Sequence, residues 1–166
     1  SRYGGHGLER LGLLAAAAPS FTQREGFPFG KTRAEVDQIL ANLYRDRPQT
    51  IAAFAENFFA SQVSAPFRSW FQTMSLTPSL HSTAATLVSL RDEDLRGDLG
   101  RVRVPTGIFH GALDKICPFP LAEAMHRGIA GSALYRFERS GHGIFYDELE
   151  LFNRRLLNFL NGTPVT

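Results

Sequence analysis

The sequence predicts an α/β fold in which a helical insertion interrupts a small parallel sheet. Two short apolar runs, residues 107–110 and 134–137, flank an interval that is long enough for one helix, residues 121–128. This order is typical of a β-α-β unit, whose two strands run parallel. Far upstream, the continuous apolar run at residues 11–18 is typical of a strand that is covered on both faces. The intervening residues 32–90 change to a helical period, which indicates a separate helical layer.

Size and composition are those of a globular protein with one or two domains. The chain has 166 residues, of which 43% are hydrophobic and 20% charged, enough to bury a core. The net charge of +2 comes from 18 basic and 16 acidic residues, and no Lys and Arg cluster lies among aromatics, so we expect no nucleic-acid partner. No apolar run approaches the length of a membrane span and no signal peptide is recognisable, so we expect no membrane contact. The single cysteine, Cys117, excludes an intrachain disulfide and fits a reducing, cytoplasmic location.

The first thirty residues are predicted to contain one strand between two irregular segments. Residues 1–5 end on two glycines and are predicted to be the last turn of a helix. Because the chain has no initiator Met, we expect a processed or truncated product. Residues 8–18 are predicted to form the first strand. Residues 19–30 are predicted to be a loop, because glycine and proline recur within them.

Four helices are predicted in the insertion. Thr32 and Glu35 match the capping box that starts a helix, and apolar residues follow at helical spacing. Pro48 and Pro66 suit the first turns of the second and third helices, and the pair at 77–78 opens the fourth. The apolar residues that define these helices are Val36, Ile39, Leu40, Leu43, Ile51, Phe54, Ala55, Phe58, Phe67, Trp70, Phe71, Met74, Leu80, Ala84, Leu87 and Val88.

A charged connector and a final helix complete the predicted elements. Residues 91–96 are densely charged and are predicted to be a solvent-exposed connector to the strand at 107–110. The final helix is predicted to begin at Asp147 and to end at Gly162. Acidic residues fill its first turn and arginines follow, an order that the helix macrodipole favours. Its apolar face consists of Leu149, Phe152, Leu156, Phe159 and Leu160.

Each strand of the β-α-β unit is followed by a turn that carries one reactive side chain. Asp114 follows the first strand and His142 follows the second. Because the carboxyl ends of parallel strands lie at one edge of a sheet, we expect these side chains to meet. An imidazole with a pKa of about 6.5 takes and returns a proton at neutral pH, and a fixed carboxylate stabilises its charged form. The pair therefore predicts the acid and the base of a hydrolytic triad.

Four segments of the sequence together resemble the C-terminal part of the α/β-hydrolase superfamily. Residues 104–114 resemble its acid-bearing penultimate strand, and Ser140-Gly141-His142-Gly143 resembles its catalytic-histidine loop. Residues 2–19 resemble the end of the helix after the nucleophile and the strand that follows it. Residues 96–99, Arg-Gly-Asp-Leu, resemble the esterase and non-haem haloperoxidase branch. The order and spacing of these segments make the resemblance more specific than any one of them.

The resemblance implies a division of the chain into two parts. Residues 1–22 and 92–166 are predicted to form a partial α/β-hydrolase core, and residues 23–91 are predicted to form a helical cap. Three strands are few for an open sheet, so the first strand is expected to need a further neighbour. We expect this open edge to bind the N-terminal half of the same fold or a second copy of the chain.

By this resemblance, Asp114 is the triad acid and His142 is the general base of a serine hydrolase. In the superfamily the serine lies in a Gly-x-Ser-x-Gly elbow. No serine of this chain has glycine at both second-neighbour positions, so the nucleophile and the oxyanion-hole donors are expected upstream of the chain. We therefore expect the isolated chain to be inactive or nearly so. No cofactor and no metal are predicted.

Two further reactive side chains near the first turn have simpler explanations. His110 is predicted to pack or to hydrogen-bond locally at the strand end, because no ligand cluster supports a metal role beside Asp114. Cys117 is predicted to be a small buried hydrophobe, and a nucleophilic cysteine is the alternative. The other histidines are predicted to lie on the surface; they are His6, His81 and His126.

Aromatic side chains are concentrated in the insertion and are predicted to pack its helices together. A subset of them is also predicted to line an acyl or alkyl pocket. The candidate substrate-binding residues are Phe54, Phe58, Trp70, Phe71 and Met74. The predicted substrate is a small, apolar carboxylic ester, because the cap is rich in aromatics and shows no anion clamp.

Two other interpretations are compatible with the same residues. The chain could be a non-catalytic folded fragment or interaction module, since it lacks a recognisable nucleophile. Alternatively, the fold could support haloalkane hydrolysis, carbon–carbon bond hydrolysis or perhydrolysis. An aspartate at the elbow would indicate haloalkane chemistry, whereas a serine would leave ester or carbon–carbon cleavage.

Overall fold

A computed structural model describes residues 7–162 and contains one three-stranded parallel sheet. The strands are β1 (Leu11–Leu14), β2 (Thr106–Gly111) and β3 (Ala133–Phe137), in the order β1-β2-β3. The predicted α/β class, with a parallel sheet and a β-α-β unit, is confirmed. The helix end predicted at residues 1–5 lies outside the described residues.

The first strand is shorter than predicted. The sequence predicts a strand over residues 8–18, but the extended backbone spans only β1. Ala15 adopts a φ of 44°, in the left-handed region, so the strand geometry cannot continue through it. The apolar run continues beyond Leu14, where Ala15 is buried and residues 16–18 are half-buried, but these residues lie outside the strand. Among the described residues β1 pairs only with β2, and its other edge is open.

The four predicted helices of the insertion are confirmed. They are α1 (Arg33–Arg45), α2 (Arg47–Glu56), α3 (Ala65–Ser75) and α4 (Leu80–Asp92). Thr32 and Glu35 form the predicted capping box, in which the Thr32 N–H donates to the Glu35 carboxylate at 2.6 Å. The fourth helix begins slightly later than the predicted start at 77–78, because the Ser79 hydroxyl accepts the N–H of Ser82 and caps it.

Residues 92–95 of the charged connector are exposed to solvent, as predicted, whereas Arg91 is half-buried. Arg91 belongs to the last turn of α4, and its side chain is 19% exposed. Its guanidinium contacts Asp37 at 2.6 Å and Asp92 at 2.8 Å. The hydrogen bond from Arg91, together with the positive charge of Arg33, lowers the pKa of Asp92 to about 2. The prediction of a solvated connector is therefore wrong for Arg91, which joins the two ends of the helical insertion. A 3₁₀ helix, Arg96–Arg101, leads from there towards β2.

The C-terminal helix is split into two pieces. A short helix, α6 (Ile144–Asp147), is followed by α7 (Leu149–Leu160); the helix between β2 and β3 is α5 (Pro120–Gly128). Asp147 ends α6, so its predicted place in the first turn of the long helix is wrong. The backbone of Glu148, with φ −132° and ψ 51°, leaves the helical region between the two pieces. The Asp147 carboxylate accepts the N–H groups of Ala60, Ser61 and Gly141 instead.

The core lies on both faces of the sheet. Ile108 packs against α5, whereas its neighbour Phe109 packs against α7, as alternation along a strand requires. A further cluster joins Val36 of α1 to Leu121 of α5 and therefore crosses the boundary between the predicted cap and the predicted core. The division at residues 22 and 92 stays a prediction.

The helices of residues 7–162 are too short or too polar to cross a lipid bilayer. The longest of them, α1 and α4, have 13 residues each. A membrane-spanning helix needs about 20 mainly apolar residues. The predicted cytoplasmic location stays a prediction.

Candidate active site

Asp114 is fixed by hydrogen bonds within its own turn. It lies in the loop after β2, and its side chain is fully buried. Oδ1 accepts the backbone N–H of Ile116 at 2.8 Å and that of Cys117 at 2.9 Å. A carboxylate that is buried and accepts two N–H groups is oriented before any substrate binds. Only Oδ2 is left to reach another part of the molecule.

His142 completes the pair at the neighbouring strand end. It lies in the loop after β3, and its Nδ1 is 2.9 Å from Oδ2 of Asp114. Because a carboxylate only accepts, Nδ1 is the donor and Nε2 of the neutral ring is an acceptor. The imidazole is 20% exposed, and no residue in the range 7–162 forms a hydrogen bond with Nε2. The arrangement can therefore accept a proton at Nε2 and stabilise the resulting imidazolium.

The two loops are also joined through their backbones. The N–H of Ala112 donates to the carbonyl of Phe137 at 2.8 Å, and the N–H of Leu113 donates to the carbonyl of Ser140 at 3.0 Å. Gly111 allows this approach, since a Cβ at that position would lie 2.1 Å from the carbonyl oxygen of Gly141. The loops that carry the acid and the base therefore share one rigid contact.

The segment between α2 and α3 covers the histidine. The ring of Phe58 stands edge-on to the imidazole of His142, with ring centres 4.9 Å apart. The N–H of Gly143 donates to the carbonyl of Phe58 at 2.9 Å. A Cβ on Gly143 would lie 2.5 Å from the ring of Phe59, so glycine is needed for this contact. The insertion thus forms one wall of the candidate site.

The predicted substrate-binding residues fall into two groups. Phe58 contacts His142, and Phe71 lies behind it with a ring-centre distance of 4.8 Å. Phe54 extends this group, with its ring centre 5.6 Å from that of Phe58. Trp70 is 54% exposed and packs against the ring of Phe67, and Met74 is also largely exposed. Phe58, Phe71 and Phe54 form one aromatic group that reaches the histidine, although Phe54 is itself 40% exposed. Trp70 and Met74 lie on the surface of α3.

His110 and Cys117 behave as predicted. His110 is buried, and its Nε2 lies 2.7 Å from the carbonyl oxygen of Cys117, to which it donates. Burial lowers the pKa of His110, so the ring is neutral at pH 7 although it lies 3.5 Å from Asp114. Burial likewise raises the pKa of the Cys117 thiol, which therefore stays protonated and unreactive. Residues 7–162 contain no group of three His, Cys, Asp or Glu side chains placed to hold a metal ion.

Two acidic residues that support the histidine loop were missed by sequence analysis. Asp147 accepts the backbone N–H groups of Ala60 and Gly141, both at 2.8 Å, and that of Ser61 at 2.9 Å. Glu148 is buried and accepts the N–H of Arg139 at 2.9 Å and the hydroxyl of Ser140 at 2.7 Å. The sequence analysis assigned both acids to the helix macrodipole. Their only sequence signal is that the two acids closely follow the Gly-His-Gly motif.

Comparisons with known proteins identify close relatives. The chain is 42% identical, over 162 residues, to the AB hydrolase superfamily protein YisY of Bacillus subtilis (strain 168), a match that covers 98% of this chain and 60% of the relative. Among solved structures, an esterase from Exiguobacterium antarcticum superposes with a TM-score of 0.91 and 45% identity, covering 93% of this chain and 57% of that one. A bromoperoxidase from Bacillus anthracis superposes with a TM-score of 0.88 and 26% identity, covering 93% of this chain and 58% of that one.

These matches extend over nearly all of this chain but not over all of the relatives. The chain spans about 60% of the length of the curated relatives that it matches first. No protein-family model matches the sequence.

Proposed function

Because this chain belongs to the α/β-hydrolase superfamily, in the branch of esterases and non-haem haloperoxidases, we propose that it supplies the acid and the base of a serine-hydrolase triad. Asp114 is the acid and His142 is the base. The observation that carries this proposal is the 2.9 Å hydrogen bond between them at the carboxyl ends of adjacent parallel strands. The serine and the oxyanion-hole donors belong to a segment of the fold that this chain does not include.

In the proposed reaction, Nε2 of His142 accepts the proton of the serine hydroxyl as its oxygen attacks an ester carbonyl. Asp114 holds the ring so that Nε2 faces the nucleophile, and it stabilises the positive charge that forms. His142 then returns the proton to the departing alkoxide, which leaves as the alcohol. A water molecule, deprotonated by the same nitrogen, releases the acid and restores the serine.

The proposed substrates are small, apolar carboxylic esters. Phe58 places aromatic surface beside His142, and Phe71 packs against Phe58. This aromatic surface favours an apolar acyl or alkyl group over a charged one. The 45% identity to the Exiguobacterium antarcticum esterase supports ester chemistry. Trp70 and Met74 also belong to the proposed lining, and both are exposed on α3.

The test uses a completed enzyme, defined as this chain preceded by the segment of the Bacillus subtilis relative that lies N-terminal to the match. We expect the completed enzyme to hydrolyse p-nitrophenyl butyrate. Asp114→Asn and His142→Ala should each lower kcat/KM by about 10³-fold or more, since the base loses its orientation or is absent. His126→Ala is the matched control, because this exposed histidine contacts Ser132 away from the site. Full activity of both site variants would refute the proposed roles.

A second candidate reaction is perhydrolysis, which the likeness to the Bacillus anthracis bromoperoxidase favours. In this reaction hydrogen peroxide, instead of water, attacks the acyl-serine, so that the products are a peracid and the free serine. The triad roles of Asp114 and His142 stay the same. Adding peroxide and bromide to the completed enzyme with an acetate ester tests this. Bromination of monochlorodimedone would indicate peracid release, and its absence would refute perhydrolysis.

We also propose that the open edge of β1 binds the nucleophile-bearing half of the fold. Leu14 at this strand is largely exposed, and the edge offers unpaired backbone groups to a further parallel strand. Pairing of two copies of this chain through the same edge is the alternative. A non-catalytic role of the chain by itself would use the same edge. Size-exclusion chromatography of the chain, alone and with the N-terminal segment, distinguishes these arrangements.

A further inference from the structure

Asp147 joins the loop that contains His142 to the segment that packs beside it. One segment is the histidine loop, residues 140–143, and the other is the connection between α2 and α3, residues 58–61. We propose that Asp147 is a positioning residue for His142, which holds this connection against the histidine loop so that the base and the aromatic wall beside it form one unit. The inference rests on the proposed function, because it concerns the same base.

Both oxygens of Asp147 take part in the contact. Oδ2 accepts the N–H groups of Ala60 and Gly141, both at 2.8 Å, while Oδ1 accepts the N–H of Ser61 at 2.9 Å and its hydroxyl. Hydrogen bonds to an ionised acceptor are shorter and stronger than those between neutral groups. One carboxylate therefore satisfies donors from two segments that are more than 80 residues apart in the chain.

Close packing makes the position of the loop depend on this contact. A Cβ on Gly141 would lie 2.9 Å from the nitrogen of Ala60, so the two segments touch without a side chain between them. On the other side of the histidine, Gly143 donates to the carbonyl of Phe58. The loop is thus held at both glycines that flank His142, once through Asp147 and once directly. Without the Asp147 contact, the bond from Gly143 to Phe58 would be the one hydrogen bond that joins the connection to the loop among the described residues.

Asp147→Asn is the informative substitution because it keeps the size of the side chain. Asparagine has one acceptor oxygen, and its amide group would face a donor, so at least one backbone N–H loses its partner. In the completed enzyme we expect kcat for p-nitrophenyl butyrate to fall by about 10- to 100-fold, the cost of a misplaced catalytic group. Asp147→Glu, which keeps the charge, should recover part of this loss. KM should change less than kcat.

The control is Asp46→Asn, which makes the same chemical change at another carboxylate of the helical insertion. Asp46 caps α2 by accepting the N–H of Gln49 at 3.0 Å and lies outside the site. It should leave kcat within about twofold of the parent, because asparagine is an equally good cap.

A double-mutant cycle with His142→Ala separates positioning from a general loss of structure. If Asp147 acts through His142, Asp147→Asn should have no further effect on the residual activity of the His142→Ala enzyme. The same fold-loss in both backgrounds would overturn the inference, and so would an unchanged kcat for Asp147→Asn. Full activity of His142→Ala would instead refute the proposed function itself.

A milder variant covers the case in which Asp147→Asn does not fold. Ser61→Ala removes one donor to Asp147 and keeps all three backbone hydrogen bonds. We expect it to fold and to lower kcat by about threefold, a small part of the loss expected for a misplaced catalytic group. An unchanged kcat for this variant would then overturn the inference.

Discussion

Two imidazoles lie near Asp114, and only that of His142 forms a hydrogen bond with it. The other imidazole, that of His110, is neutral. Nε2 of His110 lies 3.5 Å from Oδ2 of Asp114, within reach of an ion pair if the ring were charged. Burial lowers the pKa of His110, and its Nε2–H is directed to the carbonyl of Cys117. The charge of Asp114 is therefore available to the partly exposed imidazole of His142 rather than divided between two rings.

The buried His110 makes the stability of the chain sensitive to acid. Its pKa is lower in the folded state than in the unfolded state, where it is about 6.5. The unfolded state therefore binds more protons at mildly acidic pH, so this contribution is complete above pH of about 6.5 and is lost as the pH falls towards the lowered pKa. His110→Gln keeps a donor for the Cys117 carbonyl but cannot titrate.

The measurement is the free energy of unfolding in urea at pH 7.5 and at pH 5.0. We expect the decrease between these two values to be smaller in His110→Gln than in the parent chain. His81→Gln is a suitable control because that side chain is exposed on α4. Equal decreases in all three proteins would contradict the assignment of His110 as a buried neutral group.

At the scale of elements, the end of β2 and the histidine loop can approach closely because Gly111 has no side chain. Gly111 closes β2, and the space where its Cβ would be is filled by carbonyl oxygens of Ser140 and Gly141. These oxygens belong to the backbone and cannot rotate away as a side chain could. The distance between the loops of Asp114 and His142 therefore depends on a glycine at position 111.

Gly111→Ala should destabilise the chain by about 2–3 kcal/mol, because the new methyl group forces the two loops apart. Gly97→Ala is the matched control, since no atom lies within 4 Å of a Cβ at that position. Urea unfolding midpoints of the two variants provide the comparison. In the completed enzyme Gly111→Ala should also lower kcat, and a variant as stable as the parent would show that the loops can separate at little cost.

An element could be predicted when the residues that fix its ends lie close together in the sequence. The start of α1 was predictable because Thr32 and Glu35 are three residues apart and satisfy each other. The end of β1 was not, because the continuous apolar run gives no sign that Ala15 takes a φ of 44°. The break between α6 and α7 was missed for a similar reason. Asp147 accepts the N–H of Ala60, which lies 87 residues away in the sequence.

On the scale of the whole molecule, the described sheet has an open edge at β1, and the candidate site contains only part of the proposed triad. The described residues hold the proposed acid, the proposed base and the aromatic side chains beside them. The sequence contains no serine with glycine at both second-neighbour positions, and the chain spans about 60% of its first relatives. The proposed catalysis therefore requires a further segment.

We predict that the chain by itself does not hydrolyse p-nitrophenyl butyrate faster than buffer. Adding the N-terminal segment of the Bacillus subtilis relative should restore turnover, because we propose that the corresponding segment holds the serine and the oxyanion-hole donors. Turnover should stay absent when the added chain carries His142→Ala. Strong hydrolysis by the chain alone, retained after purification to homogeneity, would contradict the proposal that the nucleophile lies elsewhere.

The sequence by itself determined the helices with local caps, the β-α-β unit and the two turns that carry Asp114 and His142. These features depend on periodicity and on hydrogen bonds between residues a few positions apart, which a linear pattern contains. Only the tertiary structure decided that Phe58 covers the histidine, that His110 is neutral, and that Asp147 ties the insertion to the histidine loop. Such contacts join groups dozens of residues apart, and they arise only when packing of the whole chain brings those groups together.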